Sequence, residues 1–333
     1  MTSSSAERGL NAIARKLDPK LPGFHESFIE LEAANLPRFQ SGFPPQRLTM
    51  TLLGEFWVGR SEPIPSAALV QLLRAFNITE SAARAALSRL AARGALILER
   101  RGRTTWYRQS PNLLMLLPQG RAMTLNFGPS RTGWDGSWSI VSWNLINPTP
   151  ALTHRIRISL RELGYAPLAP GVWVSPGQAP DRLVDMLPHP DDMTFSVFTA
   201  QELPVEGAAS AVSAFDLSEM ELAYEEFLAT FSPLLTASRA SGFPPAEALV
   251  ARTRAVFRWF VIATLDPDLP AELLPPKWSR TEAHRLFVAL VDGVTPMAES
   301  YVRSVIAQFD ADTAELVTAP APYAIRRESF YNS

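Results

Sequence analysis

Apolar side chains recur at helical spacing from Arg47 onward, with Leu48, Leu52, Leu53 and Phe56 on one face. This period predicts a first helix that stops near Gly59. A second helix is predicted over residues 66–76, opened by Pro65 and carrying Leu69, Leu72, Leu73 and Phe76 inward. Asn77, Ile78 and Thr79 leave room only for a short turn before a third helix over 80–93. Its inward stripe is Ala83, Ala86, Leu87 and Leu90, and Gly94 is its C-terminal stop. Two strand-like runs, 96–100 and 104–108, then flank Arg101, Gly102 and Arg103 as a hairpin with a cationic tip. Trp106 and Tyr107 alternate along the second run, so one of the two is expected to pack inward. Helix, helix, short turn, helix, basic hairpin is the order of a winged helix-turn-helix.

The pattern changes after a Gly-, Pro- and Ser-rich boundary at 128–136. Strand 137–143, helix 151–163, strand 172–175, short helix 181–187 and strand 194–199 alternate in the manner of a small ferredoxin-like layer. From Ala208 to about Asp310 the chain reads as helical, with breaks expected at Pro233, Pro244-Pro245, 266–276 and Thr295-Pro296. The pentapeptide SGFPP occurs at 41–45 and again at 241–245 in unrelated flanks. Each copy is expected to end one helix and start another, because proline disfavours helical geometry in the residue before it. The predicted fold is therefore α+β and multidomain. Residues 1–45 form an N-terminal arm, partly mobile, with a short helix over 26–34; 46–127 form the winged helix-turn-helix. A ferredoxin-like central domain covers 135–205, a helical C-terminal domain 208–310, and an extended tail 318–333.

Composition sharpens this division. The 333 residues suffice for two or three domains, and 47% hydrophobic with 19% charged residues is the balance of a folded globular chain. A formal charge of -2 conceals an uneven distribution. Residues 46–127 hold 11 Lys and Arg against 4 Asp and Glu, whereas 128–333 hold 15 against 24. A block at +7 followed by a remainder at -9 fits a DNA-binding head on a body that does not bind DNA, since phosphate neutralisation needs clustered cations. With no apolar run near the ~18 residues that cross a bilayer, and no signal-peptide core at the start, a cytoplasmic location is expected. The absence of cysteine excludes disulfides and thiolate chemistry, and the lone histidines His25, His154, His189 and His284 match no zinc spacing. Neither a metal nor a cofactor is expected.

Within the head, the inward stripe of the third helix leaves Ser81, Ala82, Arg84, Ala85, Ser88 and Arg89 outward. Arginine forms paired hydrogen bonds with guanine, and small residues allow close approach to thymine methyl groups. The bland alternative is that Arg84 and Arg89 are solvated surface charges. Arg100, Arg101, Arg103 and Arg108 concentrate charge on the hairpin, where phosphate or minor-groove contact is expected. In the body, Trp138, Trp143 and Trp173 read as core residues. Arg254, Arg258, Trp259, Trp278, His284 and Arg285 mix cations with aromatics on two predicted helices joined by a Pro-rich turn. Ligand pockets combine apolar walls with a few placed polar groups; surface ion pairing with the many nearby acids is the alternative. Asp191-Asp192 reads as a solvated turn, and no catalytic signature occurs.

The run from Thr79 to Gly94 with its hairpin, DGSWSIVSWN from Asp135, RELGYAPLAPGVWVSP from Arg161 and DPDLPAELLPPKW from Asp266 together resemble the PaaX-like bacterial repressors. The resemblance covers roughly residues 47–308. It implies a transcription regulator, usually a repressor: a homodimer that binds double-stranded operator DNA and leaves it on binding an acyl-coenzyme A. Upstream of DPDLP, where the resemblance implies a basic pair, the chain reads Arg258, Trp259, Phe260 and Val261. This departure widens the expected effector to a less charged aromatic or aliphatic catabolite. The competing expectation is a nucleic-acid-processing enzyme built on the ferredoxin-like layer. Against it, the first strand of that layer ends Trp143-Asn144, without the carboxylate a metal would need.

Overall fold

A computed structural model describes residues 44–129, 133–181, 183–187, 193–203 and 210–318. The expected arm up to residue 43, its short helix, the Asp191-Asp192 pair and the tail beyond Thr318 lie outside the described residues.

The first layer comprises α1 (Pro45–Phe56), β1 (Ile64–Pro65), α2 (Ser66–Arg74), α3 (Glu80–Ala92), β2 (Leu96–Arg101) and β3 (Thr104–Gln109). The apolar stripes read from the sequence are its core: Leu48, Leu52, Leu53, Phe56, Leu69, Leu72, Leu73, Phe76, Ala83, Ala86, Leu87 and Leu90 are all buried. The α2–α3 turn closes on Asn77, which adopts φ 61°, a left-handed conformation that Asn tolerates better than most side chains. Thr79 then caps α3 by accepting a hydrogen bond from the Ala82 amide. Pairing in the order β1-β3-β2 makes β3 the middle strand of an antiparallel sheet. One of Trp106 and Tyr107 was expected inward; both are buried, at 7% and 6% exposure. The reason lies partly in the hairpin itself, whose Arg101 guanidinium covers the Trp106 ring at 4.4 Å.

Ser110 caps an unexpected helix, α4 (Pro111–Asn126), which carries Pro118 in its interior. It fills the space between α1 and the C-terminal helices. Leu117 lies 3.6 Å from where a Gly54 Cβ would stand, and Phe260 lies 3.3 Å from that of Gly120.

In the central region, β4 (Ser137–Leu145), α5 (Pro150–Glu162), β5 (Ala166–Ala169), β6 (Val172–Pro176), α6 (Leu183–Met186) and β7 (Met193–Gln201) build a sheet in the order β5-β6-β4-β7. Every neighbouring pair is antiparallel. The period of two along β4 sorts its side chains. Val141, Trp143 and Leu145 face Ile156 and Leu160 of α5, with Tyr165, Trp173 and Leu183 in the same cluster. Trp138 and Ile140 face the opposite way, toward Phe215 and Leu269 of the C-terminal region. Of the expected core tryptophans, Trp138 and Trp173 are buried and Trp143 is half-buried. β5 escaped the sequence pattern because it is a four-residue edge strand containing Pro167, and an edge strand is where a sheet tolerates proline.

The C-terminal region is helical: α7 (Leu217–Ser241), α8 (Pro245–Leu265), α9 (Arg280–Ala307) and the short α10 (Ala311–Glu315). Pro233 and Pro296, expected as breaks, lie inside α7 and α9. Each costs a backbone hydrogen bond, but apolar packing nearby holds the axis: Phe227 and Phe231 before Pro233, and Val291, Val294, Ala298 and Val302 on both sides of Pro296 are buried. The other two breaks are present. The second SGFPP copy ends α7 and opens α8 through Gly242 at φ 70°, and Pro45 of the first copy opens α1.

Candidate nucleic-acid interface and effector region

Burial of Ala83, Ala86, Leu87 and Leu90 turns the opposite face of α3 to solvent, leaving Ser81, Arg84, Ser88 and Arg89 exposed and Ala82 and Ala85 half-buried. Arg84 folds back onto Glu80, donating from Nε at 2.9 Å and from a terminal nitrogen at 2.7 Å. An exposed pair one turn apart contributes only ~0.3–0.5 kcal/mol, so the guanidinium is released at little cost. Burial pushes the Tyr107 phenol up and the Arg84 charge opposes that shift, which sets Arg84 electrostatically near β3.

The hairpin turns through Gly102 at φ 60°, and its last register pair is Arg101 with Thr104. Arg100, Arg101 and Arg103 are exposed at this end. Arg101 is committed in part to the Trp106 ring and stands 3.9 Å from Glu99. Arg108 is set apart from the other three, half-buried and donating to Glu99 at 2.6 Å across the strand pair. Among the described residues no ion pair engages Arg100 or Arg103.

The six residues singled out in the body divide differently. Trp259 of α8 is fully buried and ringed by Phe127 at 5.5 Å, Tyr224 at 6.2 Å, Phe227 at 5.4 Å, His284 at 5.6 Å and Phe287 at 5.0 Å. His284 of α9 is buried so close to Gly128 that a Cβ there would stand 2.3 Å from the imidazole. Trp278, expected on a helix, lies instead in the turn before α9, where Lys277 takes φ 64°, and meets Tyr224 edge-on at 5.8 Å. Arg254 and Arg258 are half-buried on α8, with Arg258 3.4 Å from Glu226 of α7. Arg285 is exposed. Tyr224 thus links the two tryptophans, and the indole N–H groups of both are buried with no partner among the described residues.

Two buried arginines carry structure that sequence reading missed. Arg252 of α8 forms an ion pair with Glu55 of α1, and also donates to Thr295 Oγ1 at 2.6 Å and to the Val291 carbonyl at 3.2 Å. Arg280, 0% exposed, donates to Asp268 at 2.9 Å and to the Leu269 carbonyl at 3.1 Å, with Asp266 at 3.5 Å. Tyr224 completes that cluster by donating to Asp266 at 2.5 Å, and burial together with the Asp266 charge drives its phenol pKa far up. The DPDLP stretch therefore acts as a clasp around Arg280. A signal for Arg252 existed, since it falls on the same stripe as Ala248, Val256 and Trp259. Among the described residues no group of three or more His, Cys, Asp or Glu is placed to hold a metal, and no helix is long and apolar enough to cross a membrane.

Comparison with known proteins identifies the family. Three family models match in order along the chain: PaaX-like protein over residues 45–113, PaaX protein central Cas2-like domain over 131–212 and PaaX-like protein C-terminal domain over 215–304. These matches and the fold define a mixed α+β protein with a central Cas2-like domain and a helical C-terminal region. The chain belongs to the PaaX-like family, as its motifs implied; it is 30% identical over 261 residues to the transcriptional repressor PaaX of Escherichia coli (strain K12), covering 75% of this chain and 77% of that one. A solved structure, the uncharacterized protein Rv0674 from Mycobacterium tuberculosis, is 24% identical with a TM-score of 0.45, covering 72% of this chain and 89% of that one.

Proposed function

We propose that the chain is a cytoplasmic, dimeric transcriptional repressor that binds double-stranded operator DNA sequence-specifically and releases it on binding a small catabolite or its coenzyme A thioester. The observation that carries the reading is the α2–turn–α3 unit beside a basic hairpin. A buried apolar stripe turns Ser81, Arg84, Ser88 and Arg89 outward as a set, and the hairpin supplies Arg100, Arg101 and Arg103 at the end of the adjoining sheet. In this reading α1 to β3 form a winged helix-turn-helix whose α3 enters the major groove while the hairpin tip takes phosphate or the minor groove. The name of the E. coli relative supports repression. Strand order β5-β6-β4-β7 supports a ferredoxin-like central domain, which serves here without chemistry of its own.

The effector region is proposed around the Tyr224–Trp259 contact, with His284 against Trp259, Trp278 against Tyr224, and Arg254 and Arg258 one turn apart on α8. Two buried indole donors without partners there favour a ligand rich in acceptor atoms. Trp259 is a pillar of the aromatic core, so Arg258, on its rim, is the residue to vary.

Mobility-shift titration of a duplex from the chain's own promoter region tests the interface. Arg84→Ala and Arg89→Ala should each weaken specific binding by about 1–3 kcal/mol if the side chains read bases; unchanged affinity in both variants would overturn the assignment of α3. For the effector, melting temperature is followed against aromatic acids and their coenzyme A thioesters. Arg258→Ala should blunt release of DNA by the compound that shifts the melt, while leaving ligand-free binding as it was.

A further inference from the structure

The central region is acidic as a whole, yet one of its helices is not. Along α5 the sequence PALTHRIRISLRE sets His154, Arg155, Arg157 and Arg161 before any acid, which comes only with the final Glu162. Ile156 and Leu160 are the fully buried side chains of this helix, packed on the sheet. At 100° per residue, His154, Arg157 and Arg161 fall on one outward stripe, while Arg155 stands 100° or more round the helix from it. All four are exposed. The sheet stands between this helix and the C-terminal helices, because its other face carries Trp138 and Val174 against Phe215 and Leu269. Among the described residues no ion pair engages Arg155 or Arg157, although α6 with Asp185 packs in the same layer. Arg161 is steadied over the Trp173 ring at 6.0 Å.

We propose that α5 is a second, sequence-independent contact for duplex DNA, which holds the phosphate backbone beside the operator; the proposal rests on the DNA-binding reading above. Charge complementarity selects this partner. From His154 to Arg161 the stripe spans about 10 Å at 1.5 Å per residue, the axial length of about three phosphates on one strand at ~3.4 Å each. At its N-terminal end the stripe borders an open concavity of about 480 Å³, lined by Pro148, Thr149, Pro150, Thr153, His154 and Arg157. Small ligands are held in clefts that enclose most of their surface, whereas an open shelf fits a backbone passing across it. Three arginines spent on the solvent side of one helix, in a region otherwise rich in acid, are of use to a polyanion arriving from outside.

The test is salt-dependent binding of the full chain to two duplexes, a minimal operator fragment and the same fragment extended on both sides. Arg157→Gln changes one exposed side chain of the stripe and should leave the melting temperature at the wild-type value. On the extended duplex the slope of log K against log salt should shrink by up to about 0.9, the value of one phosphate contact. On the minimal duplex, affinity and sequence preference should stay as in the wild type. An unchanged slope on the extended duplex overturns the proposal while leaving the repressor reading intact. If the wild-type chain binds neither duplex, both fall together. A wild-type melt raised by inorganic pyrophosphate but unaltered in the variant, with an unchanged DNA slope, would make α5 a small-anion site and likewise overturn the DNA contact.

Discussion

Replacing Arg252 with methionine removes one partner of a buried ion pair and keeps most of the side-chain volume. Arg252 is 1% exposed and its Glu55 partner 3%, so the orphaned carboxylate cannot turn to water without opening the contact between α1 and α8. Breaking such a pair from one side costs about 3–5 kcal/mol, against a total stability of roughly 5–15 kcal/mol for a folded domain. At roughly 2–4 °C per kcal/mol for a unit of this size, the melting temperature should fall by roughly 6–20 °C. The bonds to Thr295 and the Val291 carbonyl disappear as well, which places the expected fall in the upper half of that range. Thermal melting and urea unfolding of Arg252→Met, Glu55→Leu and the combined variant provide the assay. Because an apolar pair of similar size can match a buried ion pair, the combined variant should recover most of the loss. A single variant that melts with the wild type, or a combined variant as unstable as the worse single one, would refute the claim that this pair joins the first layer to the helical region.

Arg101→Ala with Arg103→Ala should weaken binding to all DNA sequences alike and lower the salt slope by up to ~0.9 for each phosphate no longer neutralised; an unchanged slope in mobility-shift titration means the tip points away from DNA. Gly128→Ala puts a Cβ 2.3 Å from the His284 ring at a backbone φ of 119°, and calorimetry should register a loss of about 1–3 kcal/mol or more from overpacking alone. Tyr224→Phe removes the donor to Asp266 inside the Arg280 clasp and should cost about 1–3 kcal/mol, read by urea unfolding. In the wild type, Tyr224 keeps its proton well above its ordinary pKa. Its stabilising contribution is therefore complete below about pH 10, the unfolded value, and is lost as the pH rises toward the folded one. Melts of wild type and Tyr224→Phe should converge along that alkaline arm, and curves that stay parallel would contradict it.

Where local periodicity and capping govern the backbone, the sequence was readable. The Leu, Ala and Phe stripes of α1, α2 and α3 placed those helices to within a few residues, and the arginine-flanked Gly102 placed the hairpin. α4 was missed because Pro118 and Gly120 punctuate a run of Leu and Met with no clean stripe; tertiary packing against α1 and α8, which periodicity does not report, makes it a helix. Pro233 and Pro296 misled in the opposite sense, since the cost of a proline is local and the packing that offsets it is not. Of the candidate interface residues, the exposure of Arg84 and Arg89 follows directly from the stripe opposite. In the effector region the sequence could not separate Trp259, a core ring, from Arg285, a surface charge, because both fit one face-and-spacing pattern. Nor did it separate Arg252 and Arg280 from solvated arginines: their acidic partners lie 197 residues away in one case and only 12 to 14 in the other.

The unbroken passage from β3 through the Ser110 cap into α4 has a meaning for recombination. An N-terminal unit that hangs on a tether can be grafted from one protein to another. Here the graft junction would cut through buried contacts: Leu117 against Gly54, and the Glu55 carboxylate that closes on Arg252 of a helix far along the chain. A chimera that exchanged only residues 45–113 for those of a relative would import whatever that relative holds opposite Arg252. It would fold well only where an acid came with it. Natural shuffling of such units should therefore be visible as exchange of whole chains, or as paired change at positions 55 and 252.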